Sequence, residues 1–167
     1  MLGNDRTKQN EIIEIGAVKL DEQLTVIDEF QSFIKPELHP ILSDFCKQLT
    51  SISQEEVDQA PTFGKAIRNF KNWIGSDYRL VSWGFYDKKQ LKMDCELHKE
   101  SSTWIRNHMS LKHKHGKMIG VERGVGMGKA LQMLQIPLEG THHRGIDDAR
   151  NIAKIFAAIF EKLELDN

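Results

Sequence analysis

Residues 11–20, EIIEIGAVKL, place Ile13, Ile15 and Ala17 on one alternating row and Ile12, Gly16, Val18 and Leu20 on the other. Apolar positions on both rows predict an inner strand with both faces covered. A second strand is predicted over 25–34, and the turn-forming Asp21, Glu22 and Gln23 make a hairpin the expected connection. The period then changes. Ser53 followed by Glu56 is a capping-box pattern ahead of Val57. After Pro61 and Thr62, residues Phe63, Ala66, Ile67, Phe70, Trp73 and Ile74 recur at helical spacing.

The run YRLVSW at 78–83, ended by Gly84, predicts a short buried strand whose end delivers Phe85, Tyr86 and Asp87 to a loop or helix start. Residues 88–98 are expected to be helical. Between 108 and 125 the text is polar and glycine-bearing and predicts only a short strand around 109–111. A short helix is expected over 126–134, before Pro137. In the last helix Ile152, Ile155, Phe156, Ile159, Phe160 and Leu163 form one stripe, with Asp147 and Asp148 in its first turn. Two carboxylates there suit the positive end of the helix dipole, so a structural role for one of them is an open reading.

Strands first, then alternating elements and a long amphipathic helix last predict an α/β fold, a sheet covered by helices. No repeat or linker interrupts the 167 residues, and a single domain over 1–167 is expected. One feature does not fit. An inner strand beginning at residue 11 needs a neighbour on each edge, and the preceding MLGNDRTKQN does not read as one.

With 40% apolar and 28% charged residues, and 23 Lys+Arg against 24 Asp+Glu, the chain has the composition of an ordinary globular protein. A net charge of -1 excludes a strongly basic duplex-wrapping surface and leaves room for a small, local nucleic-acid contact. Cys46 and Cys95 are not close-spaced, which argues against a zinc knuckle or redox pair and predicts two reduced thiols. With no apolar leader and no run of about 18 apolar residues, no membrane contact and a cytoplasmic location are expected.

Three residues stand out chemically. His143 and Asp148 in THHRGIDDAR can approach one site from a glycine-containing loop and a helix start. The competing reading is a solvated histidine beside a helix-terminal carboxylate. Asp87 follows a predicted buried strand, where a side chain is well fixed, and competes with a helix N-cap role. His108, His113 and His115 invite a metal reading, but Lys112, Lys114 and Lys117 among them disfavour a cation and suit phosphate or solvent. Trp83, Phe85 and Tyr86 offer stacking faces, two of which are expected to close the core.

EIIEIGAV, LSDFCKQLTSISQEEVDQAPTF, SWGFYDKKQL and HHRGIDDARNIAKI, in that order, resemble the DEDDh 3′-5′ exonucleases of the proofreading-subunit superfamily, in the branch that holds the histone-mRNA 3′ exonuclease and KapD. The resemblance runs over essentially the whole chain. It implies a ribonuclease-H-like fold, a mixed sheet flanked by helices, and stepwise release of nucleoside monophosphates from 3′ ends of single-stranded RNA or DNA. It also implies two Mg²⁺ or Mn²⁺ ions, with Asp87 and Asp148 as metal ligands and His143 as general base. Hard cations take oxygen ligands, and imidazole as a type titrates near neutral pH, so the residue types suit the tasks.

The departure lies at the front. The family's first motif, an Asp-x-Glu pair on the first, central strand, has no counterpart in MLGNDRTKQN. The expectation is an N-terminally shortened exonuclease domain with impaired activity. The alternative is a catalytically inactive nucleic-acid or protein-binding module that keeps the fold. Glu14 matches a family glutamate outside the four metal-site acids and is expected to make structural hydrogen bonds, with Glu11 near the strand entrance.

Overall fold

The computed structural model describes residues 9–163. Residues 1–8, most of the segment expected to lack a strand, lie outside the described residues. The chain forms a β-hairpin of β1 (Glu14–Leu20) and β2 (Val26–Phe33), then α1 (Asp44–Thr50), α2 (Gln54–Asp58) and α3 (Phe63–Ile74). It continues with β3 (Leu80–Ser82), α4 (Tyr86–Leu97), β4 (His108–Ser110) and α5 (Leu111–Ile119). The last helices are α6 (Met127–Met133) and α7 (Gly145–Ile159).

β1 and β2 pair antiparallel from Glu14 opposite Phe33, with a bulge at Lys19/Leu20. Asp21 closes the turn: its Oδ1 accepts from Gln23 N and Thr25 N, each at 2.9 Å. β3 and β4 pair parallel, Leu80 opposite His108. Among the described residues the two pairs do not join, so the α/β fold rests on two short ladders rather than one continuous sheet.

The strand at 11–20 begins three residues later than its pattern predicts. Ile12 N donates to Asp94 Oδ2 at 2.7 Å, and Glu11 accepts from the backbone of Glu37, Leu38 and His39. These groups are used outside the ladder. β1 is also less enclosed than an inner strand should be, with Ile15 alone fully buried. β3 shortens to three residues for a similar reason, since the Tyr78 carbonyl is taken by the Asn107 side chain at 2.6 Å.

α3 follows its pattern. Thr62 caps it, and Phe63, Ala66, Ile67, Phe70 and Ile74 enter a core shared with Ile15, Ile34, Trp104 and Ile105. The capping box forms at Ser53 and Glu56. The stripe of α7 packs with Leu111, Ala130 and Leu131 in a second cluster. α5 is a helix where the pattern predicted none: its buried positions are Leu111, His115 and Gly116, an arrangement that does not read as an apolar stripe. Gly116 is required there, because a Cβ would meet the backbone of Val121 and Gly124.

Cys46 and Cys95 are both free thiols. Burial is the main influence pushing Cys95 up to about 11, which keeps it protonated. No described helix is long and apolar enough to cross a membrane.

Candidate active site

The start of α7 is anchored from β1. Glu14, its side chain 4% exposed, accepts from Arg144 Nη2 at 2.9 Å and from the backbone N–H of Gly145. Arg144 Nε and Gln31 Nε2 also donate to it, at 3.2 and 3.1 Å. A carboxylate thus sits at the positive end of the helix, where the N-cap Arg144 makes no side-chain cap of its own. The hydrogen bond and charge of Glu14 hold the Arg144 guanidinium above its ordinary range. Glu14 is therefore structural, as expected. Gly16 lets β1 press against this helix end, since a Cβ would overlap the Ile146 nitrogen.

The two acids of the first turn separate into different jobs. Asp147 accepts from Thr141 N at 2.9 Å and from Arg150 Nη1 at 3.0 Å, and Arg150 also holds Glu29 on β2 at 2.7 Å. Asn151, fully buried, exchanges two 2.9 Å hydrogen bonds with the backbone of Glu139. These contacts fix the 139–144 loop from both ends and assign Asp147 to structure.

Asp148 faces the other way. Its Oδ1 accepts the backbone N–H of His143 at 3.2 Å. His143 adopts φ 72°, a left-handed conformation uncommon for a non-glycine residue, and its ring stacks on His142 at 4.1 Å between centroids and 4° between planes. Ligand atoms of His142, His143 and Asp148 lie within 4.8 Å of one another. His142 was not singled out from the sequence. Its adjacency to His143 was the available signal, and the stacking depends on the loop conformation.

Asp87 arrives from the other side, in the first turn of α4. It is not the N-cap, a position held by Phe85 without any side-chain cap bond, so the capping alternative is overturned. α4 is tied to the approach to β1 by buried Asp94 and by Gln90, whose Nε2 donates to Asn10 O at 2.8 Å. Asp87 remains open to water although protein packs around it. Crowding by protein and then the nearby Asp148 charge hold its carboxyl above the usual range. Burial raises Asp148 as well, partly offset by the His143 N–H.

Among the described residues neither Asp87 nor Asp148 is paired with Lys or Arg. Two neighbouring carboxylates that repel each other and lack a cation are a donor set that fits a hard divalent ion. His143 lies beside Asp148, and Asp87 is near enough for the Asp148 charge to act on it, while the ligand atoms that group within 4.8 Å are those of His142, His143 and Asp148.

Other sequence candidates do not join this group. The three histidines of 108–115 go to different partners: His108 Nε2 meets Ser82 Oγ at 2.7 Å, and His113 Nδ1 meets Ser110 Oγ at 2.6 Å. His115 is buried beside Trp83. Of the three aromatics only Trp83 joins the core, its Nε1 donating to Val125 O at 3.0 Å. Phe85 and Tyr86 are exposed, contrary to the expectation that two of the three close the core. The helix start turns these two outward along with Asp87.

The sequence matches the RNase T family, described as exonuclease, over residues 1–156. The chain belongs to this exonuclease family. Human 3′-5′ exoribonuclease 1 is 32% identical over 164 residues, covering 92% of this chain and 47% of that protein. The probable 3′-5′ exonuclease KapD of Bacillus subtilis is 29% identical over 151 residues, covering 89% of this chain and 73% of the relative. Against the first of these exonucleases the chain spans about half the relative's length. Among solved structures, the nuclease domain of 3′hExo, a DEDDh family member bound to rAMP, superposes with a TM-score of 0.89 at 29% identity, covering 100% of this chain and 90% of that one. The α/β architecture is thus that of a DEDDh exonuclease domain.

Proposed function

We propose that this protein is a metal-dependent 3′-5′ exonuclease that releases nucleoside monophosphates from the 3′ ends of single-stranded RNA, with single-stranded DNA as the lesser alternative. The grouping of His143 with Asp148, with Asp87 within reach of the Asp148 charge, in an exonuclease-family chain, carries the reading. The RNA preference is supported by the likeness to human 3′-5′ exoribonuclease 1, an exoribonuclease by name.

Asp87 and Asp148 are the residues that would hold Mg²⁺ or Mn²⁺. When bound, a divalent ion neutralises phosphate charge and makes water a better nucleophile. His143 takes the proton of the attacking water at a ring nitrogen, and it does so from a loop whose position Asp148 fixes through the His143 N–H. The proton taken by His143 returns to solvent after each cleavage. Exposed Tyr86, one residue before Asp87, offers a face for the terminal base.

Among the described residues only these two acids serve as candidate metal ligands, which balances one divalent ion better than two. That observation favours a second reading, a nucleic-acid or protein-binding module with little hydrolysis. The assay that separates them uses 3′-labelled single-stranded RNA and DNA with Mg²⁺ or Mn²⁺. It compares the 167-residue chain, a version carrying any in-frame upstream codons, and His143→Ala. Metal-dependent release lost in His143→Ala supports the exonuclease; retention of strands without release by either form supports the binding module. The reading includes one catalytic domain and a cytoplasmic site of action, to be checked by limited proteolysis and by fractionation.

A further inference from the structure

Thr141 O accepts from Arg144 N at 3.1 Å, which closes a turn with His142 and His143 at its two central positions. The φ of His143, 72°, is that of the third residue of a type II turn, a place that favours glycine or asparagine. Both sides of the turn are tied to the start of α7: Asp147 accepts the Thr141 N–H at 2.9 Å and Asp148 the His143 N–H at 3.2 Å. Held this way, the turn sets the two imidazoles face to face, 4.1 Å between centroids and 4° from parallel.

Both histidines are exposed, and among the described residues neither ring takes part in a hydrogen bond, since Asp148 engages the backbone N–H of His143. A histidine side chain turns about two torsions, and an exposed one without a partner populates several rotamers. The stack on His142 is therefore what restricts the His143 ring. It is not a chelating pair. An imidazole bound to zinc directs an in-plane lone pair at the ion from about 2.0 to 2.1 Å. Two stacked planes this nearly parallel share no such point. The grouping of both histidines with Asp148 within 4.8 Å brings the rings together without making His142 a ligand.

We propose that His142 is the positioning residue for His143: its ring holds the proton-accepting imidazole in one orientation beside Asp148, and does so through its flat face rather than through either nitrogen. This rests on the exonuclease reading, in which His143 takes the proton of the attacking water. An aromatic pair shifts a rotamer population about two- to tenfold. Removing a general base costs about 10²- to 10⁴-fold. The two adjacent histidines thus separate by magnitude, and also by chemistry, because a ring without nitrogen can replace His142 but not His143.

The test compares the native chain, with and without any in-frame upstream codons, with His142→Ala, His142→Phe, His143→Ala and the double variant His142→Ala/His143→Ala. Melting temperature checks that each is folded. Release from 3′-labelled single-stranded RNA at saturating Mn²⁺ gives kcat and KM, and isothermal titration gives Mn²⁺ affinity. Proton NMR of the His143 ring reads the stack directly, since the ring current of a stacked neighbour moves its signals upfield. His142→Ala is expected to lower kcat about two- to tenfold, with KM and Mn²⁺ affinity unchanged and the upfield shift lost. His142→Phe is expected to recover most of the lost kcat and the shift, and His142→Ala to have no further effect once His143 is alanine. No loss of kcat in His142→Ala, a loss of about 10²-fold or more, a loss that His142→Phe does not recover, weaker Mn²⁺ binding, or additive losses in the double variant would overturn the proposal. If no form releases nucleotide, the exonuclease reading fails and the ring signals alone decide the stack: a shift lost in His142→Ala and recovered in His142→Phe upholds it, and a shift unchanged in His142→Ala overturns it.

Discussion

The carboxylate of Asp148 accepts the backbone N–H of His143 at 3.2 Å, so an acid at the start of α7 sets the loop that carries the histidine. Two residues five positions apart are thereby coupled: the group that would hold metal also positions the group that would take a proton. Asp148→Asn keeps an acceptor oxygen and removes the charge, whereas Asp148→Ala removes both. Both variants are expected to lose Mn²⁺ affinity by isothermal titration. Only the alanine variant is expected to free the loop, seen as faster amide exchange at His143.

Asp87 and Asp148 are held above their ordinary range, so the folded protein binds protons that the unfolded chain has already released. Their contribution to stability falls as pH rises from the unfolded carboxyl range through the raised folded values. Above that window both charges are uncompensated. In metal-free buffer near pH 7, Asp87→Asn is therefore expected to melt higher than the native chain, while Mn²⁺ raises the native melting temperature more than the variant's. A lower melting temperature for the metal-free variant would contradict the assignment.

His108 shows the opposite sign. Its folded value is lowered to about 4, so the unfolded chain binds the proton first, and the associated stability is fully present above about pH 6.5 and lost as pH falls toward 4. His115, lowered by burial, acts in the same direction. Histidine NMR titration is expected to show His108 neutral through pH 5, and His108→Asn is expected to flatten the acid limb of the stability profile.

Glu14 is 4% exposed and its partner Arg144 22%, so truncating one member leaves a largely enclosed charge. Glu14→Ala is expected to cost about 3 kcal/mol in urea unfolding, toward the lower end for breaking a buried pair. Gly16→Ala attacks the same junction through sterics, because the added Cβ would overlap backbone of Gly145 and Ile146 that cannot rotate away. A cost of about 3 kcal/mol or more is expected.

Much of this was legible in the chain because local pattern and tertiary demand agree. The stripe of α3, the capping box at Ser53 and the hairpin turn at Asp21 each satisfy their own backbone groups within a few residues. α5 was not legible: His115 and Gly116 are buried by close approach of the 121–124 loop, a tertiary cause with no local periodicity. His143, Asp148 and Asp87 were visible as residue types at element ends, but their placement depends on Glu14, Asp94 and Asn151, buried polar groups reaching across 12 to 131 residues of sequence. Polar contacts of that range leave no periodic trace. The separation of Asp147 from Asp148 is similar, since adjacent helical positions differ in role only through what the loop and β2 place beside them.

The central claim is that His143, Asp148 and Asp87 form one hydrolytic centre. It is tested most directly by following 3′-labelled single-stranded RNA with Mn²⁺ or chelator, using the native chain, its extended form and His143→Ala in each. The account predicts stepwise, chelator-sensitive release of nucleoside monophosphate, reduced about 10²- to 10⁴-fold by His143→Ala with Mn²⁺ binding retained. Release that persists in His143→Ala, or strand binding without release by either form, would contradict it.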